Sequence, residues 1–222
     1  MTIPVNEIFQ TVQGEGSWTG TPAVFVRLQG CGVGCPWCDT KHTWVVDAQH
    51  AVAMSAMLDK PKDSPAWTDC TEDEIVAKVT AFEARHVVIT GGEPCEHDLR
   101  ALTKGLLAAE RTVQIETSGT AEILADGGCW ITVSPKVDMP GGKALLQAAV
   151  RRANEIKMPV GKRADIETLR TKVLTLCHNH PKPMIYLQPL SQSAKATELC
   201  VFEATRNGWR VSVQVHKYLG VR

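Results

Sequence analysis

Three of the chain's eight cysteines, Cys31, Cys35 and Cys38, lie in the stretch GCGVGCPWCDT (30–40), spaced C-x3-C-x2-C. Clustered thiols can hold a metal ion, exchange disulfides or carry an inorganic cluster. Structural zinc wants four ligands, usually as two separated pairs. This loop supplies three and no second C-x2-C follows, so zinc would need a fourth ligand from a distant His or from lone Cys70 or Cys95. A thioredoxin-like C-x-x-C uses two thiols at a helix start and leaves Cys31 surplus. A four-iron cubane held by three cysteines keeps one iron open to chelate a small molecule, whereas ferredoxins that only carry electrons normally ligate with four. The spacing therefore favours an iron–sulfur cluster with an open position. The five remaining cysteines are scattered singly and read as buried apolar thiols.

The elements around this loop must place it. TPAVFVRLQG (21–30) reads as a strand leading straight into it. A helix is expected over 71–84, opened by a capping-box-like Thr71 and Glu74, then a strand over 85–94, a helix over 98–110 and strands over 112–120 and 130–136. A helix over 143–156, a strand over 183–191, a helix over 194–208 closed by Gly208 and a last strand over 209–219 complete the series. Strands alternating with helices favour a parallel α/β sheet with helical crossovers. About six core strands are too few for an eight-unit barrel. The turns at 31–40, 90–94, 116–119, 134–136 and 188–191 carry the reactive residue types. In parallel folds such turns share one mouth at the carboxyl ends of the strands. Residues 41–70, with Trp44, Trp67 and the breaker-rich DKPKDSP, break the alternation and read as an insertion holding a short helix. The chain is thus expected to be a single domain over 1–222.

Bulk properties exclude several classes. The 222 residues carry 24 Lys and Arg against 24 Asp and Glu, so no basic surface for nucleic acid is advertised, and 44% are hydrophobic, as in an ordinary globule. No apolar run approaches a membrane span, and MTIPVNEIFQ lacks the pattern of a secretion signal. A cytoplasmic location, where thiols stay reduced, is expected.

The C-x3-C-x2-C spacing, with an aromatic residue, Trp37, before the third cysteine, resembles that of the radical S-adenosylmethionine (SAM) superfamily, and GGEP (91–94) resembles its second motif. More narrowly, NEIFQTVQGEGSWTGTPAVFVRLQGC (6–31), CDTKHTW (38–44), VVITGGEPCEHDL (87–99), QIETSGT (114–120), VSPK (133–136) and QP (188–189) resemble the 7-carboxy-7-deazaguanine synthase family of queuosine and deazapurine biosynthesis. The resemblance runs from about residue 5 to the C-terminus. It implies a truncated parallel (β/α) barrel, a 4Fe-4S cluster on Cys31, Cys35 and Cys38, SAM on the open iron, and a magnesium ion. The implied reaction is conversion of 6-carboxy-5,6,7,8-tetrahydropterin to 7-carboxy-7-deazaguanine with loss of ammonia, started by a 5′-deoxyadenosyl radical. Implied partners are this pterin, an electron donor such as flavodoxin and a second copy of the chain, with neither nucleic acid nor membrane.

The resemblance also implies roles for single residues. Arg27, in the apolar strand, would pair with the substrate carboxylate, since a buried Arg needs an anion; the bland reading is an edge residue facing solvent. Val12, Gln13, Gly14 and Glu15 would read the amide-like edge of the pterin, and Thr90 would touch it. Thr40 would hold magnesium as a neutral oxygen donor. Trp37, Asp39, Gly92, Ser134, Pro135, Lys136 and Gln188 are expected around SAM, with Glu116 a weaker candidate for the same contact. His216 is a candidate for facing the mouth. The other histidines, at 42, 50, 86, 97, 178 and 180, read as surface or supporting residues, and 41–70 is given no catalytic role. Two rival readings are a radical SAM activase acting on a partner protein and a non-enzymatic zinc or iron–sulfur module.

Overall fold

The computed structural model describes residues 2–177 and 182–221, so His178 and His180 lie outside the described residues. In chain order the strands and helices are β1 (Thr2–Val12), β2 (Pro22–Leu28), α1 (Met54–Leu58), β3 (Thr68–Thr71), α2 (Glu72–Thr80), β4 (His86–Gly91), α3 (Arg100–Ala108), β5 (Thr112–Thr117), β6 (Trp130–Val133), α4 (Gln147–Arg152), β7 (Glu155–Val160), α5 (Arg163–Thr168), β8 (Met184–Pro189), α6 (Ala194–Asn207), β9 (Arg210–Val211) and α7 (Val215–Leu219). They form one nine-stranded sheet in the order β3-β1-β2-β4-β5-β6-β7-β8-β9. From β2 onward every pairing is parallel. β1 runs antiparallel to both β2 and β3 and extends one edge.

Alternation along each strand divides the sheet into two chemically different faces. Val24, Val26, Leu28, Val87, Ile89, Val113, Ile115, Ile131, Val133, Ile156 and Met158 join one apolar core with Ile75, Leu102, Leu106, Val150, Ile166 and Cys200 of the helices. The residues between them, Arg27, Gln114, Glu116, Thr132, Glu155, Lys157 and Gln188, are polar and lie on the other face, where Gln114 bonds Thr132, Thr132 bonds Glu155 and Lys157 bonds Glu116 across strands. Among the described residues the sheet does not close by strand pairing. Loop 13–18 and the C-terminal segment bridge instead: Val215 N donates to Gly14 O at 2.9 Å, Gly16 N to Ser212 Oγ at 3.1 Å and Ser17 N to Glu155 Oε2 at 3.0 Å.

Several elements depart from the sequence reading. Residues 2–12, given no element, form the 11-residue β1. The helix expected over 143–156 spans only Gln147–Arg152, and β7 takes over at Glu155. Asn154 decides this: its N–H and Oδ1 both bond Ile131, and its carbonyl accepts from Met184 N, so it is claimed by both neighbouring strands. β7 is almost wholly buried, which erases the period-2 signal. The last strand, expected over 209–219, shrinks to Arg210–Val211, because Val215 N is drawn to Gly14 and the chain turns into α7. Within 41–70 the short helix is present, but the segment's end becomes β3, paired through Cys70 to Ile3. Residues 163–177, left unassigned, are helical. The Thr71–Glu74 capping box opens α2 and the left-handed Gly208 closes α6, as expected. Among the described residues no helix is long and apolar enough to cross a membrane.

Candidate active site

All five loaded turns line a single cleft at the carboxyl ends of the parallel strands, together with Arg27 and Lys157 from the sheet and Glu15 from the loop after β1. Its atom-free space, open mouth included, is about 1210 Å³.

Three of the described cysteines belong to this cleft, Cys31, Cys35 and Cys38, and all eight in the chain are free thiols. The loop leaves β2 and is held from both sides. Gly30 N and Cys31 N donate to the carbonyls of Thr43 and Trp44 at 2.7 and 3.0 Å. Gly92 N donates to Leu28 O at 3.0 Å and Glu93 N to Gly30 O at 2.8 Å. The approach is so close that a Cβ on residue 92 would stand 1.8 Å from Gly30 O, and one on residue 91 would stand 2.2 Å from Leu28 N. The paired glycines are therefore required by chain packing, whatever else they touch. Cys38 Sγ accepts from Thr40 N at 3.4 Å and from Trp44 Nε1 at 3.3 Å, and such donors stabilise a thiolate ligand and tune a cluster's potential. Burial pushes the Cys31 and Cys35 thiols up, opposed at Cys35 by Lys136. Cys70 and Cys95 are buried, both pushed up to about 12 by burial. No group of three or more His, Cys, Asp or Glu among the described residues is arranged around a single ion.

Arg27 does not lie on an edge, since β2 is flanked by β1 and β4. Its side chain, 18% exposed, lines the cleft; its buried Nε has no hydrogen-bond partner and stands 3.9 Å from Glu7 Oε1. Thr90 and Gly92 line the cleft beside it. Thr40 and Asp39 lie on the wall between this cleft and an adjoining cavity, which is also lined by His42 and His216. Trp37 stands at the rim, 44% exposed. Ser134 and Lys136 reach the wall; Lys136 Nζ donates to Ser134 Oγ at 2.6 Å and has no ion pair among the described residues. Burial holds its ammonium below the ordinary lysine range.

A second cluster was not anticipated. Lys157 Nζ, nearly fully buried, donates to Glu15 Oε2 at 2.6 Å and to Glu116 Oε2 at 2.5 Å. The other oxygen of each carboxylate is held by amides. Glu15 Oε1 accepts from Gln214 and Gln188, and Glu116 Oε1 accepts from Gln13 and Gln114. Burial pushes Glu15 up, but Lys157 and the amide donor of Gln214 outweigh it and hold its carboxyl at about 2. Glu116 is raised by burial, with Glu15 and Glu155 adding negative charge nearby. Gln188 is thus a brace for Glu15 as well as a wall residue.

Four expected residues do not line the cleft: Val12, Gln13, Gly14 and Pro135. Val12 pairs with Pro22 in the sheet, and Gln13 is buried as a brace of Glu116. A Cβ on residue 14 would stand 2.2 Å from His216 Nδ1. Pro135 is buried behind Ser134 and Lys136. Sequence reasoning missed Lys157, Gln214, Lys217, Trp44 and Glu93. Lys157 was hidden inside EIKMPV; reading that run as a strand would have exposed a lysine on a buried face in need of carboxylates. Glu93 is wholly used in joining turns: its oxygens accept from Cys95 N, Thr117 Oγ1 and Ser118 N.

Comparison with known proteins agrees with this arrangement. The family model described as the radical SAM superfamily matches residues 25–161. A 7-carboxy-7-deazaguanine synthase of Escherichia coli K12 is 49% identical, with 100% of both chains covered. One from Buchnera aphidicola is 43% identical over 100% of both, and one from Synechocystis 36% identical over 100% of this chain and 95% of the relative. The crystal structure of QueE from Escherichia coli superposes with a TM-score of 0.93 at 49% identity, covering 96% of this chain and 94% of that one. A three-thiol loop, the second glycine motif packed on it and a full-length match lead to one assignment: the chain belongs to the radical SAM superfamily and, within it, to the 7-carboxy-7-deazaguanine synthase family.

Proposed function

We propose that this chain converts 6-carboxy-5,6,7,8-tetrahydropterin to 7-carboxy-7-deazaguanine with release of ammonia. The observation that carries the reading is the full-length match at 49% identity to a 7-carboxy-7-deazaguanine synthase, and the single cleft joining the three thiols to Arg27 and the carboxylates is consistent with it. Cys31, Cys35 and Cys38 would hold a 4Fe-4S cluster, with SAM beside Trp37, Asp39, Gly92, Ser134 and Lys136. Bound there, the two supply a carbon-centred radical able to take a hydrogen atom from substrate.

The remaining work falls to the chain. Arg27 lines the cleft and offers its guanidinium to the substrate carboxylate, a charge-assisted contact of good directionality. Glu15 accepts from guanidine-like N–H groups, held in place by Gln188, Gln214 and Lys157. Thr40 supplies a hydroxyl to a magnesium ion that otherwise takes waters and substrate oxygens. Thr90 adds a neutral polar contact beside Arg27. Arg27 and Thr90 are carried on β2 and β4, and such strand-borne groups are rigid, which suits positioning. The reading also calls for an external electron donor such as flavodoxin, a homodimer, and a cytoplasmic setting that keeps the thiols reduced.

The test is anaerobic incubation of cluster-reconstituted protein with SAM, reductant, magnesium and the tetrahydropterin, followed by mass analysis. One deazaguanine carboxylate and one ammonia per pterin are expected. A colourless zinc protein, or SAM cleavage with no change in the pterin, overturns the reading.

A further inference from the structure

Release of ammonia from the pterin, on the reading above, needs more than a radical. The carbon–nitrogen bond that breaks leaves its electron pair on nitrogen, which must gain a proton, while a neighbouring carbon loses one as the new double bond forms. Electrons balance without an oxidant, and one proton passes from carbon to nitrogen.

Four carboxylates line the cleft: Glu15, Asp39, Glu93 and Glu116. Glu93 is buried and its oxygens are committed to three donors. Asp39 is exposed on the wall shared with the second cavity. Glu15 is held by Lys157, Gln188 and Gln214 as a permanent anion. Glu116 differs from all three. Gln13 and Gln114 occupy Oε1 and orient the group, while Oε2 meets one donor, Lys157, and keeps a lone pair. Its side chain is 17% exposed and lines the cleft.

We propose that Glu116 is the proton shuttle of the ammonia-releasing step: Oε2 takes the proton from the substrate carbon and returns it to the departing nitrogen. Glu116 ends each cycle as it began, and Lys157, Glu15 and the two glutamines are positioning residues. Burial and the nearby charges of Glu15 and Glu155 raise the Glu116 carboxyl, in the direction that helps a group both take and give a proton.

The proposal rests on the pterin reading, and the parent enzyme separates the two. If the parent forms no deazaguanine carboxylate, that reading fails, whatever Glu116 does. Glu116→Gln keeps size and one acceptor oxygen, removes the base, and sets an N–H donor against either the two amides or Lys157. Three quantities are compared with the parent: pterin affinity of the cluster-free protein by calorimetry, deuterium carried from labelled pterin into the adenosyl group, and ammonia release. Affinity and deuterium transfer should stay within a few-fold while ammonia release falls ~10²–10⁴-fold, the usual worth of a general acid–base group. Ammonia release within tenfold of the parent, or falling in step with deuterium transfer, overturns the proposal. If Glu116→Gln does not bind the pterin, Glu116→Asp decides, because it keeps a carboxylate but draws it back from the cleft. A lowered ratio of ammonia release to deuterium transfer supports the shuttle, and an unchanged ratio overturns it.

Discussion

The cysteine loop and the Lys157 cluster face each other across one cleft and are built on opposite principles. The loop is short-range: three thiols within eight residues, shaped by backbone bonds and glycine contacts, with hydrogen-bond donors aimed at Cys38 Sγ. Its thiols have no internal counter-charge beyond the neighbouring lysine, so it is made to be completed by something added. The Lys157 cluster is long-range: Glu15 lies 142 residues from Lys157 and Glu116 lies 41 residues from it. Its charges and amides satisfy one another. A buried charge left unpaired is costly, so a pre-organised charged group inside a sheet must carry its partners with it. One region leaves its thiols with little counter-charge of its own; the other satisfies its charges internally.

The largest effect should come from breaking the loop. Replacing Cys31, Cys35 or Cys38 by Ala should abolish cluster binding, read as loss of absorbance near ~400 nm and of about four irons per chain. Cys70→Ala and Cys200→Ala should leave iron content intact. Equal loss from Cys70→Ala would mean a four-thiolate site.

Next is the packing that holds the loop. Gly92→Ala forces a Cβ toward Gly30 O, where the gap is 1.8 Å. Backbone on both sides cannot yield cheaply, and a loss of about 3 kcal/mol is expected by chemical denaturation. A neutral result would show the β2 and β4 turns to be looser than this contact implies.

Arg27→Met should weaken pterin binding at least ~30-fold, as expected for truncating a desolvated charge-assisted pair, with iron content unchanged. Calorimetry with the cluster-free protein is the check.

The carboxylate cluster should respond to acid. Glu15 titrates at about 2 when folded, against an ordinary value of 4.5. Its pairing therefore stabilises the fold fully above pH 4.5 and is lost as pH falls toward 2. Thermal melts over that range should decline, and Glu15→Gln, which removes the titrating group, should decline less steeply. Parallel curves would mean that the Lys157 pairing adds nothing to stability.

The smallest effect is expected at Thr40. Thr40→Val removes a neutral oxygen and keeps the shape, so iron content should hold while the magnesium concentration for half-maximal turnover rises severalfold. If Asp39→Asn shifts that titration and Thr40→Val does not, the ligand assignment is reversed.

Much of this protein was determined by local sequence. The three-thiol loop was legible because ligands of one cluster can sit in one short segment. Thr71 and Glu74, Gly208 and the apolar runs of β2, β4, β5 and β8 announce their elements because capping and side-chain periodicity are local. The five turns after strands could be placed together because parallel sheets carry their strand ends on one side. Tertiary structure alone decided the rest. β7 exists because Asn154 is bonded by both neighbouring strands, which no periodicity in EIKMPV reports. The sheet is bridged by Gly14 and Val215, some two hundred residues apart, so the C-terminal run leaves the sheet for a helix. The role of Gln13 as a brace, the unsatisfied Nε of Arg27 and the trapping of Lys157 between Glu15 and Glu116 depend on which side chains meet across strands. That meeting is set by sheet order and register, and it is there that burial and charged neighbours shift the carboxyls of Glu15 and Glu116 in opposite directions.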